Sequence, residues 1–533
     1  MKRRATEPVI TAKLATTLDK CKVSKKNAPH LLVAIAEAYS VDVKNKIINE
    51  TSVHEARQKY RQERYDIIKN LVPEIFSNAA TTIHWDGKML PGILRNESSE
   101  RLAIIITSNG VEQLLGVPAI SRSTGQHQAA AVFEHLVDWS VVDNVEALCC
   151  DSTASNTGRV KGACIKLEQA LDKDLLYLIC RHHIYELVLK CTFEIKFGKS
   201  TAPDVTFFKE FEGFWKYVKQ NEYENGLSDS YVKEHLKDEQ DRILLFCSAR
   251  LEQRQPRSDY KEFLELVIIF LGGELPTGTT FHPPGAIHNA RWMAKAIYCL
   301  KIFLFRKQFL TDRKEDELKC RDVCIFIVRL YVQAWFCAPE APQAPSQDLK
   351  FLKDLHEYKT IDKNISEATV KKFMNHLWYL TPELAALSFF DSNLADSEKR
   401  LMCEALNLKR SSFSYEKRIL ADRKNIKQIS EASLSDFICK DSLNFFNRYQ
   451  INPTFLTKDP SKWKHEKNFI AGLDMVKNLK TVNDVAEREV KLMTDFNNIL
   501  TKDEQQRKYL LPVIKEYRNF FPNCTKETLM KQY

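Results

Sequence analysis

The stretch that decides the fold is Thr81-Thr82-Ile83-His84-Trp85-Asp86, a short run of β-branched and apolar residues that ends in a carboxylate. A second run of the same form, Val145-Glu146-Ala147-Leu148-Cys149-Cys150-Asp151, also ends in aspartate. Runs of this length and composition are typical of β-strands. The two stretches therefore predict two strands with an aspartate at the end of each.

A third acidic residue, Glu487, lies far downstream on the helix-like stretch 482–488. Two strand-end carboxylates and one helical carboxylate can hold a pair of divalent cations. Such a pair activates a water or hydroxyl and stabilises the leaving oxygen of a phosphodiester. The pattern predicts that Asp86, Asp151 and Glu487 are catalytic and bind two Mg²⁺ or Mn²⁺ ions.

Length and composition set broad bounds. A chain of 533 residues is long enough for two to four domains. Its 15 glycines are few against the roughly 7% average, which favours helix over an all-β architecture. The excess of 79 Lys and Arg over 70 Asp and Glu gives a net charge of +9, which is compatible with a polyanionic partner without being diagnostic of one.

The cysteines and the apolar runs indicate a reduced protein without a membrane span. The 14 cysteines include no CxxC pair, so no zinc-ribbon or zinc-finger framework is readable. Buried, reduced thiols in an intracellular protein are the preferred interpretation. The first six residues contain no apolar segment, and no run approaches 18 apolar residues. Neither a secretory signal nor a membrane helix is therefore expected.

From residue 79 the pattern changes from helical to strand-like, with the strong hairpin signal Asn109-Gly110 between two runs. The predicted strands are 79–86, 101–108, 111–120, 145–151 and 175–180, and the predicted helices are 124–138, 155–171 and 182–197. The order β-β-β-α-β-α-β-α predicts a mixed sheet with helices on its faces. This is the order of the ribonuclease H-like fold, in which the first and fourth strands are neighbours. Asp86 and Asp151 would then meet at adjacent strand ends.

The domain organisation follows from where strands stop. No convincing strand occurs from about 205 to 480, so the α/β core is predicted to be interrupted by a large all-α insertion. The predicted parts are a helical N-terminal region 1–78, a first part of the core 79–200, the insertion domain 201–470 and C-terminal helices 471–533 that complete the core.

Five short motifs occur in one order along the chain. They are Trp85-Asp86, Asp151-Ser152-Thr153-Ala154-Ser155-Asn156-Thr157, Cys180-Arg181-His182-His183, His288-Asn289-Ala290-Arg291-Trp292 and Asp484-Val485-Ala486-Glu487-Arg488. In order and spacing the chain resembles the hobo/Activator/Tam3 (hAT) superfamily of cut-and-paste DNA transposases and the cellular proteins derived from them. The zinc finger usual at the N-terminus of that family has no readable Cys/His ligand set in residues 1–78.

The resemblance implies a nuclear, DNA-binding protein that works at least as a dimer. It implies that Asp86, Asp151 and Glu487 are the catalytic triad. It also implies that Arg291 contacts phosphate and that Trp292 stacks on a DNA base, since base stacking on aromatic rings is a common way to bind unpaired strands. In the same resemblance, Cys180, His183 and Arg488 are residues that support the catalytic site.

Each of these residues also has an ordinary structural interpretation. Asp86 and Asp151 suit a turn or a helix cap, and Glu487 suits an exposed helix face. A packed thiol at Cys180 and a core aromatic at Trp292 are equally ordinary. His183 would orient a catalytic carboxylate or bond the backbone.

Three functions stay open at this point. The first is metal-dependent DNA strand cleavage and transfer. The second is a transposase-derived protein that binds DNA or protein without catalysis. The third is a metal-dependent nuclease of the same fold that makes no use of Arg291 and Trp292.

Overall fold

The computed structural model describes residues 10–77, 80–91, 98–199, 204–276, 278–285, 292–408, 417–419, 431–523 and 525–533. The chain forms two compact units. Unit 1 comprises Met1–Ile179 and Asn478–Tyr533, and unit 2 comprises Cys180–Lys477. The helix at 181–197, which the sequence predicts to be in the first part of the core, packs on helices of unit 2.

Unit 1 contains a mixed, open sheet, which confirms the predicted α/β class. The strands are β1 (Thr81–Pro91), β2 (Ser98–Ser108), β3 (Val111–Gly116), β4 (Ala119–Ile120), β5 (Val145–Cys149) and β6 (Leu176–Tyr177). Their order is β3-β2-β1-β5-β6, with β4 beside β2. The first three strands are antiparallel, whereas β1, β5 and β6 run parallel. The predicted pairing of the first strand with the strand before Asp151 is therefore present. β1 continues past Asp86 to Pro91, however, and β5 ends at Cys149, two residues before Asp151.

Helices make up most of the remaining regular structure. The first part of unit 1 has α1 (Ala12–Lys20), α2 (Asn27–Ala38), α3 (Glu50–Phe76), α4 (Gly125–Asp138), α5 (Ala154–Thr157) and α6 (Ala163–Leu171). The helices that follow are α7 (Arg181–Phe197), α8 (Thr206–Phe214), α9 (Ser230–Leu236), α10 (Gln240–Leu251), α11 (Ser258–Phe270), α12 (Ala294–Leu304), α13 (Arg306–Phe309), α14 (Lys314–Phe326), α15 (Val332–Cys337), α16 (Ala344–Glu357), α17 (Lys363–Phe373), α18 (Pro382–Ala385), α19 (Asp396–Leu408), α20 (Leu443–Arg448) and α21 (Lys467–Asn478). The chain then completes unit 1 with α22 (Asp484–Phe496), α23 (Glu504–Phe520) and α24 (Lys526–Leu529).

Local chemistry explains where elements agree with the sequence and where they differ. Asn109 and Gly110 both have positive φ, 47° and 81°, as the turn of the β2–β3 hairpin requires. The helix predicted over 155–171 is interrupted between α5 and α6. A Cβ on Gly162 would lie 2.5 Å from Asn156 O and from Gly158 N, so the chain folds back there at a distance that only glycine allows. The predicted strand 111–120 is likewise divided into β3 and β4, with Pro118 between them.

An apolar core joins the sheet to the C-terminal helices. Leu90, Ala103, Ile105, Leu114 and Val117 pack with Val485, Ala486, Leu492, Met493 and Phe496 of α22 and with Leu510, Leu511 and Ile514 of α23. Side chains alternate between the faces of a strand, so the residues of β2 between these positions face the other way. β2 is buried from Leu102 to Thr107, as expected for a strand covered on both faces.

The N-terminal helices belong to unit 1 and are held by a buried ion cluster. Asp19 of α1 accepts hydrogen bonds from Arg57 Nε (2.6 Å) and Arg61 Nε (2.6 Å) of α3. These three side chains are at most 4% exposed. Arg64 of α3 makes two further hydrogen bonds to Glu516 of α23. α3 therefore links the N-terminal helices to the helix that covers the sheet.

Within the described ranges, no helix is both long and apolar enough to cross a membrane.

We expect Asp19→Asn to lower the free energy of unfolding by about 3–5 kcal/mol, because two buried guanidinium groups lose their common counter-charge. Urea denaturation followed by circular dichroism measures the change. Glu37→Gln, at an exposed position on α2, is the matched control and should stay close to wild type. Equal stability of the two variants would contradict the role given to Asp19.

Candidate functional site

The register between β1 and β5 sets the positions of the two aspartates. His84 pairs with Cys149 across the parallel strands. Asp86 and Asp151 are each two residues further along, so they occupy equivalent positions at the same edge of the sheet. Both residues are partly buried.

Asp151 is oriented by its own loop. Its Oδ1 accepts hydrogen bonds from Thr153 N (2.9 Å), Thr153 Oγ1 (2.6 Å) and Asn156 Nδ2 (2.7 Å). No hydrogen bond from another described residue reaches its Oδ2. Asn156 is itself fixed, because its Oδ1 accepts a hydrogen bond from Trp85 Nε1 (2.9 Å). One oxygen of Asp151 is thus tied to β1, and the other is available to a ligand.

Glu487 is brought to the same edge by Asn483, the residue before α22. Asn483 Nδ2 donates a hydrogen bond to Trp85 O (2.9 Å), immediately before Asp86 in β1. The Asn483 backbone carbonyl accepts from Glu487 N (3.1 Å) as the first turn of the helix forms. The first turn of α22 is therefore anchored beside Asp86.

His84 completes this anchor. Its Nδ1 lies 3.3 Å from Asn483 Oδ1, and its Nε2 lies 2.9 Å from Thr107 Oγ1. Burial lowers the pKa of His84 to about 4, so the ring is neutral at neutral pH. A proton on Nδ1, donated to Asn483, satisfies both contacts. His84 is thus a support for α22 and carries no charge into the site.

The charges of the three carboxylates act on one another. Burial and then the negative charges of Asp151 and Glu487 raise the pKa of Asp86 from 3.8 to about 7. The backbone N–H of Gly87 and the charge of Lys88 act in the opposite direction and are weaker. The three predicted catalytic carboxylates therefore lie within electrostatic range, with little positive charge among them.

The chemistry of this donor set suits a hard cation, because carboxylate oxygens are the ligands that Mg²⁺ and Mn²⁺ prefer. In the part of the chain that the structure describes, however, no group of three or more His, Cys, Asp or Glu side chains is arranged so that it could hold a metal ion. Proximity and ligand type fit the predicted site, whereas the side-chain positions do not form a ligand cage.

The residues after Glu487 support α22. Arg488 donates to both oxygens of Glu112, at 2.8 and 2.7 Å, and so ties α22 to the start of β3. Glu489 is buried and pairs with Lys515 of α23. Of the two neighbouring glutamates, Glu487 is the one whose charge acts on Asp86.

The remaining predicted residues lie in unit 2. Cys180 is buried at the start of α7, and His183 is partly buried. His183 lies near His376. The pKa of His376 is lowered first by burial and then by its electrostatic interaction with His183. In the same motif, Arg181 forms a buried ion pair with Asp348 (2.8 Å), a role that the sequence pattern did not indicate.

Trp292 packs edge-on against His182 and Trp335, with ring centroids 5.4 and 5.7 Å apart, and stays partly exposed. The helix that follows Trp292 begins at Ala294. Arg291 and the first three residues of its motif lie outside the described residues.

Sequence reasoning missed Asn483, His84 and the hydrogen-bonding role of Asn156. The signal for His84 was a polar residue inside an otherwise apolar strand. Asn156 stood in the quoted motif without a role. Asn483 had no local signal, because its partners are about 400 residues away in the chain.

No protein-family model matches this chain, and no curated protein sequence matches it either.

We expect Asn483→Ala to loosen the first turn of α22, because a buried carbonyl and a buried imidazole each lose a partner, at about 1–3 kcal/mol for such a group. Hydrogen–deuterium exchange of peptides that cover 484–490 should become faster. Asn523→Ala, at an exposed position, is the control and should leave exchange unchanged. Unaltered exchange in Asn483→Ala would show that the apolar core alone holds the helix.

We expect Asp86→Asn to stabilise the metal-free protein increasingly as the pH rises from about 4 to about 8. The pKa of Asp86 in the folded state, about 7, lies above its ordinary value of 3.8. The contribution of Asp86 to the free energy of unfolding is therefore fully present below pH 3.8 and is lost as the pH rises to 7. Thermal unfolding in EDTA at several pH values measures the difference. Asp143→Asn, at an exposed position, should show no such trend. A pH-independent difference for Asp86→Asn would contradict the pKa shift.

Proposed function

We propose that unit 1 is a ribonuclease H-like core that cleaves and joins DNA strands through Asp86, Asp151 and Glu487. One observation carries the proposal: Asp86, within β1, and Asp151, two residues past the end of the parallel neighbour β5, occupy equivalent positions relative to the His84–Cys149 pair. The hydrogen bond from Asn483 to the carbonyl of Trp85 holds the first turn of α22, which carries Glu487, beside the same edge of the sheet. The carboxylates of Asp86, Asp151 and Glu487 are then available together.

The sheet supports the finer identity of the fold. Three antiparallel strands are followed by two strands that extend the sheet in parallel from β1. A large helical unit is inserted between β6 and α22. This is the arrangement that the resemblance to hAT transposases implies for a catalytic core with an insertion domain.

The proposed cofactor is a pair of Mg²⁺ or Mn²⁺ ions, held by Asp86, Asp151 and Glu487. When bound, such ions lower the pKa of an attacking water or 3′-hydroxyl and stabilise the departing oxygen of a phosphodiester. Thr153 and Asn156 hold Asp151 through hydrogen bonds to its Oδ1. Residues that orient metal ligands in this way typically change affinity or activity by about 10–100-fold when they are removed.

The protonation of Asp86 sets the pH range of the site. A carboxyl whose pKa is raised to about 7 is partly protonated at neutral pH. A protonated carboxyl is a poor cation ligand, because ligands must be deprotonated. Asp86 must therefore release its proton for the site to load, which favours activity on the alkaline side of neutral.

The proposed partners are DNA and a second copy of the chain, in the nucleus. A net charge of +9 suits a polyanion. Arg291 and Trp292 are the proposed DNA contacts outside the core, with Cys180 and His183 as supporting residues of unit 2 and Arg488 as the support of α22. These assignments rest on the resemblance.

We expect Asp151→Asn to reduce strand cleavage and joining of a labelled DNA duplex in Mg²⁺ or Mn²⁺ by more than about 100-fold, beyond the effect of a residue that only supports a ligand. Gel analysis of the products gives the rates. The rate of Asn156→Ala should be about 10–100-fold lower than that of wild type, and Asp143→Asn should remain active. Undiminished cleavage by Asp151→Asn would overturn the proposal. Wild-type protein that binds the duplex without cutting it would instead favour a transposase-derived binding protein.

A further inference from the structure

A cavity of about 780 Å³ lies wholly within unit 2. Its walls come from α19, α21 and the segments at 339–343 and 460–464. Cavities that bind small molecules are typically about 300–1,000 Å³. This cavity is therefore large enough for a ligand of the size of a nucleotide.

Lys399 is the unusual residue of this cavity. It is only 8% exposed, yet no hydrogen bond or ion pair from another described residue reaches its ammonium group. The group lies 5.9 Å from the ring centre of Trp463, which also lines the cavity. Burial lowers the pKa of Lys399, and the charges of Asp391 and Asp396 oppose that effect. A buried ammonium without a close partner is costly, so an anion in the cavity would relieve it.

The other charges of the cavity also favour an anion. Lys464 and Lys477 line it and are exposed. Of the two acidic residues that line it, Glu340 is already paired with Arg250, which leaves Asp396. Lys399, Lys464 and Lys477 therefore outnumber Asp396 of the lining and Asp391, whose charge also acts on Lys399. Several lysine ammonium groups around one site are a common way to bind phosphate.

The rest of the cavity suits a flat heteroaromatic ring. Pro342, Trp463 and Leu473 contribute apolar surface. The uncharged polar side chains of Gln343 and Ser461 also line the cavity. Gln343 accepts a hydrogen bond from Gln347 (2.7 Å) and Ser461 donates one to Asp459 (2.6 Å), and the remaining hydrogen-bonding capacity of these side chains can pair with the edge of a nucleobase.

We propose that this cavity binds a nucleoside phosphate, with the phosphate at Lys399 and the base against the apolar wall. The ligand is either a free mononucleotide or one nucleotide of a single strand; the recognised chemistry is the same. The site stands on residues of unit 2 alone and does not depend on the carboxylates of unit 1.

The test is calorimetric titration of the full-length chain with adenosine 5′-monophosphate. We expect Lys399→Met to weaken binding more than 10-fold while the protein keeps or gains thermal stability, because the variant removes a buried charge and keeps the apolar stem. Lys371→Met, at an exposed position on α17, should bind like wild type. Lys464→Met, at an exposed position of the cavity wall, is the second variant and should also bind more weakly.

The ligand arms separate the outcomes. Inorganic phosphate and adenosine should each bind at least 10-fold more weakly than the monophosphate. Tighter binding of the monophosphate than of a short oligodeoxynucleotide identifies a free nucleotide as the ligand, and the reverse order identifies a unit of a strand, provided that Lys399→Met weakens it. No binding by wild type, or equal binding by wild type and Lys399→Met, overturns the proposal. Asp151→Asn should bind as wild type does, so failure of the cleavage proposal leaves this result unchanged.

Discussion

The candidate site depends on one buried amide. Asn483 donates a hydrogen bond to the backbone carbonyl of Trp85 and lies against the imidazole of His84. These partners are 398 and 399 residues away from Asn483 along the chain. The whole of unit 2 lies between these partners in sequence. A buried amide that lacks hydrogen bonds is costly, so its partners specify one position for the start of α22. The helix that carries Glu487 takes its place on β1 for this reason.

The electrostatic interactions within the resulting site are unfavourable. Burial and two neighbouring carboxylates disfavour the charged form of Asp86. The apolar contacts of α22 and α23 with the sheet, and the Asp19 cluster that joins α1 to α3, supply stability elsewhere in unit 1. Proteins commonly concentrate unfavourable charge where they bind a ligand. The three carboxylates fit that pattern.

Unit 2 also contains an unfavourable buried charge, but there the charge is positive. Lys399 is a buried cation that no ion pair from another described residue reaches, although the charges of Asp391 and Asp396 act on it, and the other lysines of the cavity add to the positive excess. Elsewhere in this unit buried charge is balanced within the protein, as in the ion pair of Arg181 with Asp348. The difference between these two buried cations is what distinguishes a binding cavity from a structural contact.

The sequence by itself determined the class of the fold, the two strands near Asp86 and Asp151, and the hairpin at Asn109-Gly110, whereas β1 continues past Asp86 to Pro91 and β5 ends at Cys149. These features depend on side-chain alternation and on turn conformations, which are local. The division of the helix predicted over 155–171 was not evident from the sequence, because it depends on a close backbone approach at Gly162. Only the tertiary structure decided that Asn483, His84 and Asn156 hold the site and that Lys399 faces a cavity. Hydrogen bonds and burial between residues far apart in the chain leave no periodic signal in the sequence, so they arise only when the chain is folded.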